Sequence, residues 1–181
     1  MALINTTTTG ILGSTFFGDG TGPLTVQQNG VTLGTYGNIP AFSVCNSATQ
    51  SITNNTFTKV TLDSKNFDTN NNFASNRFTP TVAGYYLLQA NAGITGSGSV
   101  TQYVLQLSKN GNTVAPRFVD MNPSASFTAN SWINLGNSVL LYMNGTTDYV
   151  ELYVYSYGAG VTVGTGAANS AVFTGFLVKA A

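Results

Sequence analysis

Residues 65–86 read Lys65-Asn66-Phe67-Asp68-Thr69-Asn70-Asn71-Asn72-Phe73-Ala74-Ser75-Asn76-Arg77-Phe78-Thr79-Pro80-Thr81-Val82-Ala83-Gly84-Tyr85-Tyr86. A Phe-Asp pair, an Asn-rich loop, a Phe-Thr-Pro step and a glycine with paired aromatics follow one another in that order. Asn, Gly and Pro punctuate the chain, and the apolar run that opens at Gly84 reads as a strand over 84–94.

Outward from that stretch the chain is all β. Apolar and polar residues alternate with period two, as side chains on opposite faces of a sheet require. The alternation predicts strands over 41–45, 56–62, 77–81, 84–94, 101–109, 114–119, 124–135, 138–143, 149–157 and 172–179, ten in all. Ten short strands between turns argue a sandwich. In 101–109, Tyr103, Leu105 and Leu107 share the core face and Gln102, Gln106 and Ser108 the polar one, before Lys109-Asn110-Gly111-Asn112 reverses the chain. Residues 1–39 are rich in Gly and Thr. Within them Asn29-Gly30 lies between alternating runs at 24–33, the strongest short-range hairpin signal because both residues tolerate positive φ. An isolated hairpin is marginal in water, so this one needs its own domain, a sister subunit or a larger partner to pack on.

One strand is apolar on both faces. Val150, Leu152 and Val154 line one side of 149–157, and Tyr149, Tyr153, Tyr155 and Tyr157 line the other. If the sandwich core takes the aliphatic side, the tyrosines need cover from a second subunit or from the chain's own loops. Tyrosine suits an interface because its ring buries area while the hydroxyl keeps a polar partner.

The chain has 181 residues, enough for one domain with a sizeable core. Hydrophobic residues make up 43% and charged residues 7%, against about 25% charged in ordinary soluble domains. Six basic and six acidic residues cancel, leaving no field to draw nucleic acid or an anionic membrane. Little net charge disfavours a free monomer, whereas a subunit of an assembly has no need to repel its copies. The single Cys45 excludes an internal disulfide and reads as a small buried side chain, with an interchain or reactive thiol as the alternative. The first residues carry neither a basic nor an apolar region of a secretory signal, and no run reaches the length of a membrane span. The chain is therefore expected to stay where it is made or to leave inside a particle.

Little in the sequence supports catalysis. The chain lacks His, the commonest general base and metal ligand. Asp63, Asp68 and Asn70 lack the pattern of a calcium loop, and Asp63, Asp68, Asp120 and Asp148 stand singly, so no metal and no cofactor are expected. Asp148 and Glu151, three apart on a strand, face opposite sides, which argues against a paired-carboxylate hydrolase. The glycines of 158–168 have no helix to hand a phosphate to and read as loop. The sequons at Asn5, Asn54 and Asn144 are attributable to chance in so Asn- and Thr-rich a chain.

The order Phe67, Asp68, Phe78, Thr79, Pro80, Gly84, Tyr85 resembles the C1q-like members of the C1q/TNF superfamily, with Pro80 one place early. Three later stretches extend the likeness over 40–181. Leu107-Ser108-Lys109-Asn110-Gly111 looks like the family's L-x-K-N-G turn. Leu135-Gly136-Asn137-Ser138-Val139 and the strand after it resemble a second landmark, with Asn137 where Asp is usual. Phe173-Thr174-Gly175-Phe176-Leu177 is similar to the closing F-S-G-F-L. The resemblance implies a ten-stranded jelly-roll sandwich over 40–181 preceded by a short N-terminal arm, with Phe67, Phe78, Gly84, Tyr85, Phe173, Gly175 and Phe176 defining the fold. It also implies a homotrimer, for which Tyr149, Tyr153, Tyr155 and Tyr157 are the expected lining.

The chain shows no collagen-like repeat, heptads or secretory leader of the kind the family's secreted animal members carry. Together with the charge-poor composition, that leads to the expectation of a non-enzymatic bacteriophage virion protein, as capsid decoration, head fibre or tail fibre. Residues 1–39 would attach it to other virion proteins, and the loops 66–76, 121–130 and 158–168 would contact host surface glycans. The alternative is a secreted C1q-like receptor ligand or adhesin whose leader or stalk is missing.

Overall fold

The computed structural model describes residues 24–28, 31–36, 39–96, 100–112, 119–121, 132–164 and 170–181. Backbone contacts divide the chain into two units, Met1–Asn38 and Ile39–Ala181. In the first, β1 (Leu24–Gln28) pairs antiparallel with β2 (Val31–Tyr36). Gln28 faces Val31 in register, so Asn29 and Gly30 are the two residues between the strands.

In the second unit the chain runs through β3 (Ala41–Cys45), β4 (Gln50–Ile52), β5 (Thr58–Lys59), β6 (Ser64–Asp68), β7 (Phe73–Ala74), β8 (Arg77–Phe78), β9 (Gly84–Gly96) and β10 (Gln102–Lys109). It continues through β11 (Val119–Met121), β12 (Trp132–Met143), β13 (Val150–Tyr157), β14 (Val161–Val163) and β15 (Ala171–Ala180). One sheet has the order β11-β10-β13-β8-β7, with β5 also on β13. The other has the order β4-β14-β9-β15-β3-β6, and β12 follows β9 along nearly its whole length. Every strand pairing is antiparallel, and no helix occurs among the described residues.

The strand boundaries differ from the sequence expectation for identifiable reasons. Candidates 124–135 and 138–143 share one strand, β12, because Gly136 and Asn137 keep their pairing to Asn91 and Ala90. The stretch 158–168 holds β14, whose Val161 and Val163 are buried between flanking glycines that hide the alternation. Candidate 56–62 shortens to β5, with Val60 and Leu62 buried beside it outside the ladder. Residues 64–68 form β6 against β3, a strand the alternation did not mark. Residues 114–118 and 124–131 lie outside the described residues.

The core lies between the two sheets. Tyr86, Leu88, Ala90, Ala92 and Ile94 of β9 face Leu105 and Leu107 of β10 and Val150, Leu152 and Val154 of β13, all buried. Phe42 is its aromatic centre, with ring centroids 4.2 Å from Phe78, 5.5 Å from Phe73 and 4.9 Å from Phe173. Each such side chain removed from water stabilises the fold by about 1.5–3 kcal/mol. Two glycines of the sequence landmarks are explained by space. A Cβ on Gly175 would meet Leu88 Cδ2 at 2.5 Å and Phe42 Cε1 at 2.8 Å, and one on Gly84 would run into the Lys179 carbonyl and Leu177.

The ladders also sort the loops to two poles. Ile39 enters at the pole where β9 begins. There Thr69 Oγ1 donates to the Ile39 carbonyl (3.1 Å), Ala181 N donates to the Ala83 carbonyl (3.0 Å), and the Asn110-Gly111 turn abuts Tyr149. At the opposite pole lie the ends of β9, β11 and β13 and the starts of β12 and β15.

Candidate functional site

A strand whose two faces are both apolar leaves one face for something other than the sandwich core. β9 and β12 have this character: residues 84–88 read Gly84-Tyr85-Tyr86-Leu87-Leu88 and 139–143 read Val139-Leu140-Leu141-Tyr142-Met143. Their register puts Leu140 opposite Leu87, Leu87 opposite Phe176, and Phe176 opposite Ala41, one row across four strands. A neighbouring row places Tyr142 beside Tyr85, with ring centroids 5.4 Å apart in an edge-on arrangement. Phe67 faces Ser43 on the far strand. All of these point away from the core. Ile39, Phe67, Tyr85, Leu140, Tyr142, Phe176 and Val178 are each between 43% and 57% exposed. The rows Leu140-Leu87-Phe176-Ala41 and Ser138-Gln89-Thr174-Ser43-Phe67 contain no charged residue. Monomeric soluble proteins rarely leave so many large apolar side chains contiguous on one face.

This outer face includes three of the residues singled out in the sequence. Phe67, Tyr85 and Phe176 lie on it, while Phe78 and Phe173 lie in the core and Gly84 and Gly175 in the close approaches beneath it. Within the Tyr85-Tyr86 pair it is Tyr86 that turns inward, donating its hydroxyl to the Val82 carbonyl at 2.8 Å. Burial pushes that phenol up to about 12. Leu140 and Tyr142 were not singled out from the sequence, although the unbroken apolar run 139–143 carries the same two-faced signal as 149–157.

The four tyrosines of β13 have a different environment. Arg77 stacks on Tyr149 with its guanidinium carbon 3.7 Å from the ring centroid. Tyr153 donates its hydroxyl to Glu151 Oε2 at 3.0 Å, and Tyr155 donates to Asn55 Oδ1 at 2.8 Å while its ring meets Phe57 at 4.9 Å. These three are half-buried by the chain's own residues, and Tyr157 is exposed. Glu151, on the same face, is buried and accepts from Arg77 Nε (2.9 Å), Arg77 Nη2 (2.8 Å) and Lys59 Nζ (3.3 Å). Burial alone would raise the Glu151 carboxyl, but Arg77, Tyr153 and Lys59 outweigh it and hold it below the usual carboxylate range. The Tyr153 phenol is pushed up to about 12, by burial first and then by Glu151.

Of the acidic residues noted in the sequence, Asp63, Asp68, Asp148 and Glu151 are occupied by structural contacts, and the Asp120 side chain lies outside the described residues. Asp68 accepts from the amides of Asn72 and Phe73 (both 2.9 Å) and pairs with Lys65 at 3.1 Å, closing the loop 69–72. Asp148 accepts from the Asn144 amide (3.0 Å) and Asn110 Nδ2 (2.8 Å) and pairs with Lys109 (2.8 Å). Ser47 donates to Asp63 through both its amide and its hydroxyl. Asp148 and Glu151 serve separate networks, at the β9-start pole and on the face of β13. Among the described residues no group of three His, Cys, Asp or Glu is placed to hold a metal ion. Cys45 is buried, its thiol 3.7 Å from the Ser64 carbonyl. Of the three loops expected to contact a ligand, 66–76 lies at the pole of Ile39, whereas β11 and β13 run into 121–130 and 158–168 at the opposite pole, where 122–130 and 165–168 lie outside the described residues.

No protein-family model matches the chain, and no curated protein matches it. Solved structures do match in fold. Eiger TNF from S. frugiperda aligns over 80% of this chain and 95% of its own at a TM-score of 0.51 and 9% identity. Murine APRIL aligns over 77% of this chain and 98% of its own at 0.50 and 12%. The likeness is one of fold: an antiparallel jelly roll of the C1q/TNF type.

Proposed function

We propose that the chain is a non-enzymatic, homotrimeric surface module of a bacteriophage virion, attached through residues 1–39 to other virion proteins and displaying its jelly roll outward. The observation that carries the assembly is the apolar face of Leu140, Leu87, Phe176, Tyr85 and Tyr142, whose two central rows hold no charged residue and which Lys179, opposite Tyr85, borders. A second copy of the same chain is its occupant. The central rows bring no charge to the contact, and the tyrosines at the margin, beside Lys179 and Lys109, keep their hydroxyls wet. This assigns the inter-subunit surface to β9, β12 and β15 instead of the tyrosines of β13, because Tyr149, Tyr153 and Tyr155 already have partners within the chain and Tyr157 alone of the four is exposed. What supports the virion setting is the charge-poor, Thr-, Asn- and Gly-rich composition, and the placement of Ile39 at one pole leaves the other pole for display.

Native mass spectrometry of the full chain tests the assembly: three copies are expected, and a species of 18.9 kDa at micromolar concentration would refute it. Immunogold labelling of purified particles tests the setting. A receptor ligand or adhesin is the second reading; label absent from particles and present in culture supernatant would select it.

A further inference from the structure

Glu151 is the only described carboxylate that serves two cations; Lys65–Asp68 and Lys109–Asp148 are one-to-one. The outer face of β13 therefore carries a local charge of +1 in a neutral chain. Both cations keep donors in reserve. Arg77 spends Nε and Nη2 on Glu151, and no acceptor among the described residues meets Nη1. Lys59 makes two contacts of 3.3 Å, to Glu151 and the Ser75 carbonyl. Their side chains remain 41% and 36% exposed.

Along the same face Tyr153, Tyr155 and Tyr157 follow at alternate positions, about 7 Å apart. Tyr157 is the one large exposed hydrophobic among the described residues that lies outside the outer face of the other sheet and its margin. Gln102 is its cross-strand partner, and the exposed Asn55 lies at Tyr155. Fixed cations lie at one end of the strip, and aromatic and amide groups lead from them to the pole opposite Ile39.

We propose that this strip, Lys59, Arg77, Tyr153, Tyr155, Tyr157 and Asn55, is a binding site for an acidic saccharide, with a sugar carboxylate on Arg77 and Lys59 and pyranose rings lying along the tyrosines. Arginine is matched to a carboxylate through its planar fork, and rigid tyrosine rings offer area at low entropic cost. The buried Glu151 acts as a positioning residue that fixes both cations before the ligand arrives. The proposal deepens the display reading by giving the displayed module a ligand class, and its biological setting rests on that reading.

The test is calorimetric titration of the full chain at low salt with trigalacturonate, with a neutral galactose trimer, and with triglutamate. The acidic sugar is expected to bind, the neutral sugar and the peptide to bind at least about tenfold more weakly, and added salt to weaken binding. Lys59→Gln and Tyr157→Ala, both at exposed side chains, are each expected to cost about tenfold, and Arg77→Lys more than Lys59→Gln because it keeps the charge and loses the fork. Absence of trigalacturonate binding, equal binding of the neutral sugar or triglutamate, or no effect of Lys59→Gln would overturn the proposal. Native mass measured on the same samples reads the assembly separately: loss of sugar binding with the oligomer intact sinks this inference and leaves the assembly standing.

Discussion

Gly175 and Phe42 approach so closely that a Cβ on the glycine would lie 2.8 Å from Cε1 of the ring. The two residues are paired across β15 and β3, and the ring stacks on Phe78 from the opposite sheet. The glycine therefore sets how near β15 can bring its backbone to the aromatic centre. Gly175→Ala is expected to destabilise the fold by about 1–3 kcal/mol through overpacking, and Phe42→Ala by about 3–5 kcal/mol through the cavity it leaves. Urea unfolding monitored by tyrosine fluorescence checks both; an unchanged midpoint for Gly175→Ala would mean that the strands separate more easily than the packing implies.

Leu140→Asp with Phe176→Asp places two carboxylates in the row that crosses β12, β9, β15 and β3. Both side chains are about half exposed in the isolated subunit, so the fold is expected to survive. Desolvating them in an interface costs several kcal/mol, so the oligomer is expected to dissociate. Sedimentation reads the mass and circular dichroism the fold. Wild-type mass in the double variant places the interface elsewhere.

Three carboxylates, Asp68, Asp148 and Glu151, have native pKa values held below their ordinary 3.8 and 4.5. In each, burial pulls upward and is outweighed: by the Phe73 and Asn72 amides with Lys65, by Asn110, Lys109 and the Asn144 amide, and by Arg77, Tyr153 and Lys59. A depressed native value means that the unfolded chain takes up the proton first. Their contribution is full above the ordinary carboxylate range and is lost as pH falls through it toward the lower native values. The unfolding midpoint is expected to hold between pH 7 and about 5 and to drop below about 4. Glu151→Gln should lower stability at pH 7 by about 1–3 kcal/mol and flatten the acid decline. An identical pH profile in that variant would remove Glu151 from the account.

Cys45 is 1% exposed and has Ser64 beside it. An aromatic disulfide reagent is expected to leave it unmodified in the folded chain and to label it fully in denaturant. Rapid labelling of the native protein would reopen the reactive or interchain thiol as a reading.

The sequence exposed much of the fold because period two is imposed by the strand itself: 41–45, 101–109, 149–157 and 172–179 are recovered as β3, β10, β13 and β15 within a residue or two at each end. Short strands were illegible where alternation is too brief to see, as in β14, or where a single apolar residue stands among polar ones, as Phe67 does in β6. The candidate surface was half legible. The two-faced pattern of 149–157 was seen, and the same pattern in 139–143 and 84–88 was not, because aromatics there are mixed with leucines instead of standing in a single register.

By itself the sequence determined that the chain is an all-β sandwich, that its charges cancel, and that more apolar strand faces exist than one core can use. Only the tertiary structure decided which faces those are. Glu151, Arg77, Lys59, Asn55 and Phe57 come from segments up to about a hundred residues apart, and their meeting half-covers Tyr149, Tyr153 and Tyr155 of β13 and leaves Tyr157 exposed. The rows through Leu140, Leu87 and Phe176 arise from strand register across non-consecutive strands. Periodicity reports which side of a strand a residue occupies; what lies on that side depends on which distant segment packs there.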